Sequence, residues 1–93
     1  MKKLKLTVFG RVQGVGFRYT ALNAARKMGV SGQVWNNADG SVTILAQADD
    51  TTLTHYINAC RNGFGHGHWI KVERIDQQSG DFPDFNSFDV VYK

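Results

Sequence analysis

One stretch restricts this chain more than any other: Gly10-Arg11-Val12-Gln13-Gly14-Val15-Gly16-Phe17-Arg18. It follows an alternating apolar segment and opens a helical one, so it is a strand-to-helix turn. Three glycines in seven positions keep its backbone clear of side chains. Such a loop can turn its N–H groups inward as a concave anion-binding nest. The helix start that follows adds unpaired donors and the positive end of a dipole. Arg18 falls in the first helical turn, within reach of the loop, and a guanidinium fork above a ring of amides suits a phosphate group. The spacing of Gly10, Gly14 and Gly16 does not fit Gly-x-Gly-x-x-Gly, and no Gly-Lys-Ser/Thr follows, so neither a dinucleotide fold nor a P-loop is supported. On residue chemistry alone, a phosphate cradle and a plain turn both stand.

The rest of the chain places this loop. Leu4, Leu6 and Val8 alternate with Lys5, Thr7 and Phe9 as a half-buried first strand. Phe17, Ala21, Ala24, Ala25 and Met28 recur at helical spacing, and Gly29 ends that helix behind Arg26 and Lys27. Ser31–Asn36 and a third strand through Val42, Ile44 and Ala46 flank the turn Asn37-Ala38-Asp39-Gly40 and form a hairpin. Asp49-Asp50-Thr51-Thr52 caps a second helix, whose buried stripe is Leu53, Ile57, Cys60 and Phe64. Gly63–Gly67 is a loop. A fourth strand is expected over His68–Ile75, where the alternation breaks between Val72 and Ile75 and hints at a bulge. Gln77–Asn86 reads as a polar connection, and Ser87–Tyr92 as a fifth strand. The order implies an α+β fold: a ferredoxin-like βαββαβ sandwich, two helices on one face of a mainly antiparallel sheet, with a short fifth strand.

Ninety-three residues and an ordinary 42% hydrophobic content make one domain, residues 1–93. A single cysteine, Cys60, excludes an intramolecular disulfide, and its place in an apolar stripe marks a buried, inert thiol. No segment is long enough to span a membrane. Met1-Lys2-Lys3 resembles a signal n-region, but the alternating stretch after it is no h-region, and the protein is read as cytoplasmic. A net charge of +3 and a pI near 9.2 favour anionic partners without choosing among them. The basic residues are scattered, with no basic run. His55, His66 and His68 lack companions at ligand spacing, so they read as solvent histidines and no metal or other cofactor is expected. A monomer is the default, with Cys60 and the exposed edge of strand two leaving dimerisation open.

Topology brings Asn36, at the end of strand two, to the same end of the sheet as the glycine loop. It shares the parity of Val34 and should face the helices; Asn37 should not. Arg18 and Asn36 can therefore address one anion.

At these residues the chain resembles the acylphosphatase family. Val8-Phe9-Gly10-Arg11-Val12-Gln13-Gly14-Val15-Gly16-Phe17-Arg18 matches the family's first signature throughout. The second signature is matched at Gly32, Val34, Asn36, Gly40 and Val42. Gln33 stands where an aromatic is usual, Trp35 where a long polar side chain is usual, and Ala48 in place of a glycine. Asn62–His68 replaces a Gly-Pro-rich approach to strand four. The resemblance implies a metal-free hydrolase that splits acyl phosphates into a carboxylate and inorganic phosphate. It assigns Arg18 and the amides of Gln13, Gly14, Val15, Gly16, Phe17 and Arg18 to the phosphoryl group, and Asn36 to the attacking water. A carboxylate leaves readily without a general acid, and a phosphate oxygen of the substrate can take the water's proton. Inorganic phosphate is then both product and competitive inhibitor; neither nucleic acid nor membrane is an expected partner. The alternative is a non-catalytic module of the same fold that binds a phosphoanion or RNA, with Phe9 and Trp35 on its open sheet face. That face lacks the signature of RNA-recognition motifs. An accessory relative that binds carbamoyl phosphate is a third reading.

Overall fold

The computed structural model describes all 93 residues. In chain order the elements are β1 (Lys2–Arg11), α1 (Phe17–Met28), β2 (Ser31–Asn36), β3 (Val42–Ala48), α2 (Asp50–Arg61), a short 3₁₀ turn (Gly63–Gly65), β4 (Lys71–Ser79) and β5 (Phe88–Val90). The sheet order is β4-β1-β3-β2-β5. The first four strands pair antiparallel, and β5 lies parallel to β2, with Gly32 opposite Phe88 and Val34 opposite Val90.

The core lies between the sheet and the two helices. Leu6, Val8, Val34, Val42, Ile44 and Ala46 face it from the strands, as a period of two requires. Phe17, Ala21 and Ala25 face it from α1, with Leu53, Ile57 and Cys60 from α2. Two members were not part of the expected stripes. Leu22 is buried beside Ala21. Tyr56 is fully buried because its hydroxyl donates to the Ala21 carbonyl at 2.8 Å, which ties α2 to α1. Gly29 closes α1 in the left-handed conformation, φ 75°.

The expected fourth strand is displaced. It begins at Lys71 rather than His68 and runs on to Ser79. Trp69 and Ile70 both direct their N–H groups to the His66 carbonyl, so 66–70 is a turn. Beyond Ile75 the strand is polar and exposed, yet it pairs residue by residue with Thr7 down to Leu4. An edge strand needs only backbone partners on one side, so side-chain alternation does not mark it. The bulge is present: Phe9 faces Arg74 and Gly10 faces Val72, leaving Glu73 extra. A Cβ at Gly10 would collide with the Lys71 carbonyl and the Glu73 amide nitrogen.

The fifth strand is also shorter than expected, three residues at Phe88–Val90. It covers the edge of β2, which is therefore not free. To reach it, residues 80–87 cross the other face of the sheet, where Gln47 accepts from the Phe85 N–H at 2.9 Å and donates to its carbonyl at 3.2 Å.

Candidate active site

The loop from Val12 to Gly16 is anchored at both ends by buried side chains, Val12 and Phe17. Between them Gly14 (φ 75°) and Gly16 (φ 76°) take left-handed angles that turn successive amides to one side. The N–H groups from Gln13 to Arg18 donate to no acceptor in the protein. Gly16 caps α1 without a side-chain hydrogen bond, and no acidic residue occupies the first turn. The positive end of the helix is therefore unmasked.

Arg18 stands on that first turn. It makes neither an ion pair nor a hydrogen bond; its guanidinium lies 5.2 Å from the centre of the Tyr92 ring. Tyr92 is held by its neighbours: Val91 donates to the Val34 carbonyl at 3.0 Å, and the Tyr19 and Tyr92 hydroxyls meet at 3.3 Å. The hydroxyl contact with Tyr92 raises the Tyr19 pKa above its ordinary value.

Asn36 closes β2 opposite Val42, with the parity of Val34. Its Oδ1 is buried and has no partner in the protein. A buried amide oxygen without a donor is costly unless a ligand or solvent supplies one. Asn37 faces the other way, as expected. Its Nδ2 donates to Ser41 Oγ at 3.0 Å and Thr43 Oγ1 at 2.8 Å. Asp39 Oδ1 accepts from the Ser41 N–H at 2.9 Å and from its hydroxyl, which lowers the Asp39 pKa.

One contact of the loop was not visible in the sequence. Gln13 was expected to contribute its amide N–H; its side chain donates through Nε2 to the carbonyls of Asn37 at 2.7 Å and Ser41 at 2.9 Å. These partners lie 24 and 28 residues away in the chain, so no local spacing announces them.

The loop histidines His66 and His68 are exposed, as is His55, and no three His, Cys, Asp or Glu residues gather as a metal-ligand group. Burial pushes the Cys60 thiol up to about 12, which keeps it inert at neutral pH. On the open sheet face, Phe9 lies under Arg74 at 4.0 Å and Trp35 under Lys93 at 4.3 Å. Cations of the same chain thus already occupy a face of each ring.

A family model described as acylphosphatase matches residues 4–90. The chain belongs to the acylphosphatase family. Acylphosphatases of Lactococcus lactis and Lactobacillus johnsonii are 41% and 51% identical to it, each match covering 99% of this chain and 100% of the relative. The crystal structure of acylphosphatase from Bacillus subtilis has a TM-score of 0.89 at 36% identity, covering 99% of this chain and 100% of that one. With this fold and these relatives, the chain is an acyl-phosphate hydrolase. The acylphosphatase signature runs through the unpaired amides, and the stretch Asn62–His68 that departs from the family lies outside them. There Phe64 takes a positive φ of 53° and packs its ring on Phe17 and Tyr56, at 5.7 and 5.2 Å between centroids.

Proposed function

We propose that Arg18 and the amides of Gln13, Gly14, Val15, Gly16, Phe17 and Arg18 hold the phosphoryl group of an acyl phosphate, and that Asn36 orients the attacking water. The observation that carries this reading is the run of unpaired amides at an unmasked helix start. The Asn36 amide oxygen, buried and unpartnered at the same end of the sheet, supports the water-orienting role.

The phosphoryl oxygens accept from the loop amides, and the Arg18 fork adds charge-assisted bonds. Water attacks phosphorus opposite the acyl oxygen. The new O–P bond forms as the P–O bond to the acyl group breaks, and the carboxylate departs with the electron pair. The water's proton passes to a phosphate oxygen. Phosphoryl transfer of this kind is catalysed by positioning and charge stabilisation. No side chain has to act as general base, so the rate profile carries no enzyme group titrating near neutrality. No metal takes part. Inorganic phosphate leaves as product and competes with substrate for the cradle.

We read residues 1–93 as one domain, monomeric and cytoplasmic; no helix is long and apolar enough to cross a membrane. The deciding experiment is phosphate release from benzoyl phosphate with and without a chelator. Turnover that the chelator leaves unchanged is the expected outcome. No turnover above spontaneous hydrolysis, or turnover abolished by the chelator, overturns the reading.

A further inference from the structure

The two halves of the site stand on strands that are not neighbours; Val42 of β3 faces both Val8 of β1 and Asn36 of β2, so the ladder fixes the strand ends. The cradle ends β1 and Asn36 ends β2, with β3 between them. All of α1 separates them in sequence. What the ladder leaves open is how the loop beyond Arg11 sits against the β2–β3 hairpin. The only hydrogen bonds between loop and hairpin are the two from Gln13 Nε2, to Asn37 O and Ser41 O.

The hairpin needs no help to hold its own shape. Asn37 N–H donates to Ser41 O at 2.8 Å and Gly40 N–H to Asn37 O at 3.3 Å. The Asn37 and Asp39 side chains brace the same turn through Ser41 and Thr43. What remains to be fixed is its distance from the loop. A primary amide carries two N–H donors on one nitrogen, and here two carbonyls, at either side of the turn, receive them. Glutamate has no donor to offer, and asparagine is one carbon short.

We propose that the Gln13 side chain is a positioning residue: it sets the Asn36 amide against the phosphate cradle, while the Gln13 backbone N–H belongs to the cradle itself. The inference rests on the water-orienting role given to Asn36 above.

The test uses the full chain and four variants: Gln13→Met, Gln13→Asn, Asn36→Ala and the double variant Gln13→Met/Asn36→Ala. Methionine keeps the length and apolar bulk of the stem and removes both donors. Folding is checked by circular dichroism. The affinity for inorganic phosphate is read from the amide shifts of residues 13–18, and kcat and KM from benzoyl phosphate. The Asn36 side-chain NH2 resonances report its setting directly.

Gln13→Met should keep phosphate affinity within about twofold while kcat falls about tenfold or more, the scale of a small misplacement of a reacting group. Gln13→Asn should lose kcat in the same way, and it carries the test if the methionine variant does not fold. The Asn36 NH2 signals should move in both. In the Asn36→Ala background, Gln13→Met should change kcat by less than about twofold, because residues acting as one unit are not additive. Equal losses in both backgrounds, or phosphate affinity falling in step with kcat, would show a general structural brace and overturn the proposal. If the unaltered chain fails to hydrolyse benzoyl phosphate, the catalytic reading fails. The positioning claim is then judged on the Asn36 signals, and unchanged signals in Gln13→Met sink it.

Discussion

Two twelve-residue helices in this molecule start in opposite ways: Gly16 enters α1 in the left-handed conformation, φ 76°, and Asp49 enters α2 from an extended one, φ −70°. α2 is closed: Asp49 accepts the Thr52 N–H at 2.7 Å, Asp50 occupies the first turn, and Lys2 pairs with Asp50 at 3.0 Å. α1 is left open: glycine at the cap, no acidic residue in the first turn, and donors without acceptors from Gln13 to Arg18. In α2 a carboxylate of the chain satisfies the orphan amides and opposes the dipole. In α1 the same groups stay available to an anion from outside. A helix start alone is no site; what α1 has and α2 lacks is the glycine loop with its further amides and the arginine on the first turn.

The largest effect should come from removing what α1 has and α2 lacks. Arg18→Gln should lose phosphate binding and turnover together, since the role proposed for the guanidinium puts it on the phosphoryl group in ground and transition states alike. Arg18→Lys should recover only part, because a point charge lacks the bidentate fork. Asn36→Ala should leave phosphate affinity nearly intact while kcat falls by roughly two orders of magnitude, the scale of one positioned transition-state hydrogen bond. Phosphate titration and steady-state kinetics on the three variants check the split. Full turnover in Asn36→Ala would remove that residue from the reaction.

A smaller effect follows from giving α1 the cap that α2 has. Gly16→Asp places a carboxylate at the cradle, and Asp tolerates the left-handed angle better than most residues. Phosphate affinity should fall at least about tenfold, since like charges about 4 Å apart near a surface repel by a few kcal/mol. Gly16→Ala carries the backbone strain without the charge, so it separates the two causes. If both variants bind phosphate equally, the open charge of the α1 start is not what the anion reads.

How far the sequence foretold this arrangement depends on the range of each interaction. The glycine loop and Asp49 cap are local, and both were legible. Asn36 was legible through strand parity, because a hairpin fixes which residues share a face. Gln13 was half legible: its amide belongs to the motif, while its side-chain partners lie across the fold. The polar end of β4 hid because an edge strand pairs through backbone groups, and only Ile75 of that strand is buried. The cover over β2 hid because β5 joins it in parallel from the far end of the chain. Tyr56 lay outside the expected stripe of α2; the Ala21 carbonyl, 35 residues away, explains its full burial.

Opening α2 is a milder change. Asp49→Ala should lower the unfolding midpoint, as loss of a cap does, with kcat and phosphate affinity unchanged. It exposes amides at a helix start, yet that start has no glycine nest and no Arg18 counterpart. A new phosphate-dependent shift at Thr51–Leu53 in this variant would mean that any uncapped helix start of this chain binds the anion.

The smallest effect is the response to acid. Hydrogen bonds from Thr52, its backbone N–H first, hold the Asp49 carboxyl below its ordinary 3.8, against a slight opposing effect of desolvation. The folded carboxyl thus binds its proton less readily than the unfolded one, and unfolding takes up protons. The stability it contributes is complete above the unfolded value and is lost as the pH falls through the lower folded value. The group is fully exposed, so salt screens part of the effect. At the start of α1 no carboxyl caps the helix, so no such step belongs to it. Following the Thr52 amide shift from pH 6 downward should give a midpoint below 3.8, with the urea midpoint of unfolding declining over the same range. The amides of Phe17 and Arg18 should show no step with that midpoint. A Thr52 midpoint at or above 3.8 would mean that the Asp49 cap does not favour the ionised carboxyl, and the contrast between the two helix starts would lose its electrostatic half.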